Sequence, residues 1–372
     1  MSDFVASETP AATWLASAEF RRRLLVTFLA LAAFHLGQFL PLYGVNNDVW
    51  RSISADASVA SSAGLSRLSI FSLGITPFLS AVLIWEVLRL CIPPLRRWVN
   101  RSDEARTAVQ RIIIGVALLF AMFQARGVTV AMTQIDGLVT APETIFQLVA
   151  RTEMIGGALI CIWLARVIDR HGLGSGLLLM LATMAGVQLA NLFSELGQTS
   201  AMGRTPEGYG YLIALYLILS IGALLLMDRR RLIGESEHRF NPGGPWPILL
   251  GTAGFSVMFL GFALAVYGLG FRVSLPDSLP QIGLAVIAVL TIVFGVLFGL
   301  AQWDESGRTG SAQRALLQGA AAGAVLAAIC LAGQFLLYAG ELPMRLEGAN
   351  IAILVVAIRR IFEPPAALAN PL

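Results

Sequence analysis

Ten apolar stretches follow one another along this chain, at 23–42, 69–92, 111–132, 152–169, 176–193, 209–227, 247–268, 281–301, 316–338 and 347–361. Most approach the ~20 residues that a helix needs to cross a hydrocarbon core ~30 Å thick. A water-soluble domain has no use for so many. With 56% hydrophobic and only 13% charged residues in 372, and a mean hydropathy of +0.74, the chain is far too apolar for one. The expected fold is an all-α membrane protein of about ten transmembrane helices, with no room for a sizeable soluble domain.

Charge orients the bundle. Every one of the 26 basic side chains is Arg. Placing alternate loops on alternate sides leaves only Arg51, Arg67, Arg126, Arg151, Arg204, Arg272 and Arg345 opposite the N-terminus, against 19 on its own side. Basic residues are retained on the cytoplasmic side, so both termini are expected there. The first twenty residues carry no basic segment ahead of an apolar one, so the first span is expected to stay in the mature protein. Cys91, Cys161 and Cys330 are scattered in or near apolar runs and read as packing residues, not as a disulfide framework or a metal site.

Ten spans divide into five and five, and an odd number per half forces the second half to enter from the opposite side. The second span of each half opens alike: GITPFLSAVL from Gly74 and GGPWPILLGT from Gly243. Irregular backbone at membrane depth is tolerated only where protein or water covers it, so Gly74, Pro77 and Pro247 point to a path between two inverted halves. Glu86 stands in the second span, where an ionisable group is costly without a partner or water.

No catalytic set accompanies these features. His35, His171 and His238 lie far apart, no phosphate-binding GK[ST] loop occurs, and the GLGSG run at 172–176 lacks a strand before it. It reads as a tight cytoplasmic turn beside Arg170 and His171. Neither cofactor nor metal is expected, and the chain is not expected to be an enzyme.

The runs FRRRLLVTFLALAAFHLGQFLPLYGVN and LSRLSIFSLGITPFLSAVLIWEVL resemble the first two spans of SecY, the channel subunit of the bacterial protein translocase. The likeness continues through VQRIIIGVALLFAMFQARGV, ARVIDRHGLGSGLLLMLATMAGV, FNPGGPWPILLGT and GANIAILVVAIRRIFE. It implies a clamshell of two five-helix halves, 23–200 and 201–372. A cytoplasmic segment, 1–22, precedes them, and a short plug region, 44–68, lies in the first half. The resemblance places Ile75, Leu79, Leu177, Leu181, Leu249 and Ile353 on an apolar pore ring that gates by dewetting. It places Glu86 and Asn241 along the lateral gate between the second and seventh spans.

The implied function is a passive protein-conducting channel of the bacterial inner membrane. Its partners would be a SecE-like clamp subunit, a SecG-like subunit, SecA or another motor, and the translocating polypeptide. The cytoplasmic loops depart from the family in being short: Arg229, Arg230 and Arg231 remain in one, and Arg308 in the nearly balanced WDESGRTGSAQR. Ribosome docking is therefore expected to be weak. The plug region, SISADASVASSAG, is small and polar where a greasy helix is expected. Two other readings are a non-conducting scaffold or insertase of the same family and an inverted-repeat solute transporter.

Overall fold

The structure is a computed structural model that describes residues 14–15, 17–50, 68–201, 208–227, 230–233, 236–239, 241, 243–268, 279–308, 311–339 and 347–362. Each expected span contains a helix. In order these are α1 (Ala18–Gly37), α2 (Thr76–Cys91), α4 (Asp103–Thr133), α5 (Glu143–His171), α6 (Gly176–Ala201), α7 (Tyr209–Met227), α8 (Trp246–Gly268), α9 (Leu279–Glu305), α10 (Ala312–Ala339) and α11 (Gly348–Phe362). A shorter helix, α3 (Pro93–Arg101), follows α2, and a hairpin of β1 (Arg230–Ile233) and β2 (Ser236–Arg239) follows α7. Among the described residues, α4, α5, α6, α7, α9 and α10 are long and apolar enough to cross a membrane. The bent pair α2–α3 would make a seventh span.

Polar residues set the helix starts. Ser17 Oγ accepts from Phe20 N at 3.1 Å to cap α1, and Ser102 Oγ accepts from Ala105 N at 3.0 Å to cap α4. The α2–α3 bend has a local cause in Pro93 and Pro94. Proline lacks the N–H that would continue a helix, and it disfavours the helical region for Ile92 before it. The chain turns 107° there, and Pro93 opens the new helix.

By its contacts the chain forms two compact units. The first comprises Met1–Ile84, Ser102–Thr183 and Ala357–Leu372; the second comprises Trp85–Arg101 and Met184–Val356. Helices α2, α6 and α11 each begin in one unit and end in the other.

In the first unit, Leu42, Leu73, Phe146 and Met154 pack with Ala121, Ala125, Ala150 and Ala158, small residues that let α4 and α5 approach closely. The stretch at 41–50, which leads into the expected plug region, is tied down by two hydrogen bonds. Leu42 N donates to Leu68 O at 2.9 Å, and Thr140 N donates to Gly44 O at 2.9 Å. Residues 51–67 of that region lie outside the described residues. The GLGSG turn is held by α1: Leu173 N donates to Thr27 Oγ1 at 2.9 Å, and Arg23 Nη1 donates to Gly172 O at 3.3 Å. Asp169 Oδ1 accepts from Gly176 N at 2.7 Å and so starts α6.

In the second unit, Ile213, Leu217, Leu326, Ile329, Ala352 and Val355 form the apolar centre. Tyr216 is buried there and donates its hydroxyl to Ile329 O at 2.6 Å. Tyr216→Phe should lower stability by about 1 kcal/mol, the usual worth of such a bond between membrane helices. A melting curve in detergent that is indistinguishable from wild type would show that the bond contributes nothing.

Candidate gate and pore residues

The two lead-ins noted in sequence have the same backbone geometry. Gly74 sits at φ +53° and Gly244 at φ +54°, the left-handed region that glycine enters without a side-chain clash. A proline follows three residues after each, Pro77 and Pro247, and the helix starts two residues after each glycine, at Thr76 and Trp246. Both prolines thus stand in a first helical turn, where the missing N–H costs no intrahelical bond. The break precedes the helix in both cases.

Ahead of α2, turns are closed by Ser72 N to Ser69 O, Gly74 N to Phe71 O and Thr76 N to Leu73 O, at 2.9, 2.8 and 3.2 Å. Ahead of α8, Asn241 performs the same service with its side chain: Nδ2 donates to Gly244 O at 2.9 Å, and its own N–H donates to Met227 O at 3.2 Å. Gly243 is tight against Phe298 and Pro247, with no room for a Cβ.

Ile75, Leu79, Leu177 and Leu181 belong to the first unit, and Leu249 and Ile353 to the second. Ile75, Leu177, Leu249 and Ile353 are buried, whereas Leu79 and Leu181 are half-buried. Arg229 lies outside the described residues, and Arg230 and Arg231 form β1, paired with Arg239 and His238.

Glu86 and Arg308, singled out separately in sequence, are joined by ion pairs within the second unit. Glu86 is 1% exposed, and its Oε2 accepts from Arg89 Nε at 3.1 Å and Nη2 at 2.8 Å. Arg89 Nη1 lies 3.7 Å from Glu305 Oε1, and Arg96 Nε lies 3.7 Å from the same oxygen. Arg96, 4% exposed, donates from Nη2 to Asp304 Oδ2 at 2.6 Å. Asp304 Oδ1 also accepts from Arg97 Nη2 at 3.1 Å and Arg308 Nε at 3.4 Å.

The Arg308 backbone reaches this position under strain. At φ +62° it follows Gly307 at φ +72°, a conformation that costs a side-chain-bearing residue about 1–2 kcal/mol. Its guanidinium lies 5.6 Å from the Trp303 ring centre, which offsets part of that cost. Sequence reading missed Arg96, Arg97, Asp304 and Glu305. Only the Glu86–Arg89 spacing of three was visible as a helical pair.

The helices, the two glycine–proline lead-ins and the buried acid in α2 define a multispanning helical membrane protein with broken backbone at two helix starts. A SecY family model matches residues 69–305, well over half of the chain and both lead-ins. The chain belongs to the SecY family.

Protein translocase subunit SecY of Thermotoga maritima is 27% identical over an alignment of 273 residues that covers 64% of this chain and 63% of that relative, so the match spans less than two thirds of its length. A solved protein-conducting channel shares the fold at a TM-score of 0.57 and 16% identity, over 92% of this chain and 91% of that one. Sec61 in the canine ribosome–channel complex from the endoplasmic reticulum does so at 0.55 and 16%, over 92% and 91%.

Proposed function

We propose that this protein is a passive channel through which polypeptides cross or enter a bacterial inner membrane. The observation that carries this reading is membership of the SecY family over a stretch that includes both lead-ins, supported by the fold of the protein-conducting channel. In this reading the six aliphatic residues form the constriction, because bulky apolar side chains exclude water and ions until an extended chain displaces them. Glu86 and Asn241 line the seam by which a segment leaves sideways for lipid. The chain crosses ten times with both termini cytoplasmic, in two inverted halves.

A SecE-like clamp, a SecG-like subunit and SecA or another motor complete the assembly, and energy comes from the motor or the membrane potential. Ribosome contact is weak, because the short loops offer little of the area and Arg–phosphate attraction on which docking depends.

Photocrosslinkers at Leu79 and Ile353 should both capture a stalled translocating polypeptide, and capture at neither would sink the reading. Orientation has its own check. Single cysteines at Asp136 and Gly208 should label from outside, and those at Asp103 and Ser306 only from the cytoplasm. One reversal among the four would break the two-halves arrangement. Purification from native membranes should recover a small clamp subunit without stoichiometric ribosomes. Recovery of the chain alone would favour a non-conducting scaffold.

A further inference from the structure

The ion chain from Glu86 to Arg308 joins residues 208 apart in sequence, Arg96 and Asp304. It also coincides with a change of unit. Helix α2 leaves the first unit at Ile84, and the segment Trp85–Arg101 belongs to the second. Within it the end of α2 buries Leu90, but α3 has little apolar surface to attach it there. The buried side chain of α3 is Arg96, flanked by half-buried Leu95 and Val99, while Trp98 is 50% exposed.

A guanidinium taken out of water requires a carboxylate and good geometry, and loss of that partner would leave a buried, uncompensated charge. Asp304 supplies the partner, at 13% side-chain exposure and hydrogen-bonded to both Arg96 and Arg97. The loop beyond α9 turns back through Gly307 and strained Arg308, which adds a third cation to the same carboxylate.

We propose that Asp304 is a positioning residue: it clasps the α2–α3 elbow to the end of α9 and thereby keeps the gate helix α2 shut at rest. The gating half of this statement rests on the channel reading; the clasp does not. Glu305 extends it to Arg89, the partner of Glu86, so that the last turn of α9 controls the charge environment of the buried acid in α2. A partner that competes for Asp304 at the cytoplasmic surface would then release the elbow.

The test uses the full chain in lipid nanodiscs and in proteoliposomes. Asp304→Asn keeps the shape and removes the charge; Asp304→Glu keeps the charge. In the Asn variant, amide exchange over residues 95–101 should quicken about tenfold, since loss of a largely buried ionic partner exceeds the 1.4 kcal/mol that a factor of ten requires. Resting ion leak should rise with it, and the Glu variant should restore both.

If Asp304→Asn does not fold, the double variant Arg96→Ala with Asp304→Ala removes both charges without stranding either and leaves no side-chain contact in their place, so α3 loses its attachment and should show quickened exchange as well. Unchanged exchange in α3 overturns the clasp. Quickened exchange without leak overturns the coupling to the gate, provided that Ile353→Asn leaks in the same vesicles. If that control is also silent, it is the channel reading that has failed, and exchange alone decides the clasp.

Discussion

Ile353→Asn should raise the resting ion leak of the reconstituted protein by about tenfold, because lowering a dewetting barrier by ~1.4 kcal/mol is enough for that factor. Ile353 lies on α11, 4% exposed, three residues after Asn350, whose amide donates to Gln188 Oε1 on α6 at 2.6 Å. That hydrogen bond fixes the start of α11, so the substitution changes the polarity of one position while leaving the helix anchored. Asn has as many non-hydrogen side-chain atoms as Ile and brings a donor and an acceptor on which water can settle. The measurement is single-channel or bulk conductance in planar bilayers, with Leu249→Asn as a second proposed ring position in the same unit. Wild-type conductance in both variants would put the constriction elsewhere.

Gly319→Leu should be the most damaging single change to the second unit. Helices α9 and α10 touch along glycines: a Cβ on Gly295 would lie 2.6 Å from Gly319 O, and one on Gly299 would lie 2.5 Å from Ala315 O. The obstacles are main-chain atoms, which cannot rotate away as a side chain could. Small residues allow such contact between membrane helices, and van der Waals packing then replaces the hydrophobic drive that lipid does not provide. Forcing the pair apart is expected to cost about 3 kcal/mol or more, at or beyond the upper end for overpacking. Gly319→Ala should fall between it and wild type. Thermal unfolding in detergent decides the matter, and an unshifted transition for the Leu variant would mean that the helices separate freely.

The parts of this architecture that sequence disclosed are those set by local chemistry. Apolar length marks a span, so the helix at Tyr209–Met227 coincides with the expected 209–227. Glycine and proline mark where a helix can start, so both lead-ins were visible at Gly74 and Gly243. Sequence did not disclose that the left-handed residue in the second is Gly244, because adjacent glycines look alike until a hydrogen bond from Asn241 selects one.

Long-range pairing was the least legible. Asp304 and Glu305 seemed to do no more than balance Arg308 and Arg314 in a short loop, yet Asp304 binds α3 and Glu305 approaches both α2 and α3. Nothing near residue 304 indicates which of 26 arginines it will meet. The hairpin of β1 and β2 lay in a segment read only as basic charge, since eight strand residues are too few to outweigh composition.

The hold of α1 on the GLGSG turn sets a schedule for biosynthesis. Thr27 and Leu173 are 146 residues apart, and Arg23 and Gly172 are 149 apart. At roughly 5–20 residues per second, a ribosome needs on the order of 10 s to deliver the second member of each pair. During that interval Arg23 lacks its turn carbonyl. The hydroxyl of Thr27 meanwhile has its own helix to donate to, at Arg23 O, 2.9 Å away. The first helix of this chain is therefore built to wait, and the first unit closes only when α5 and the turn after it have emerged.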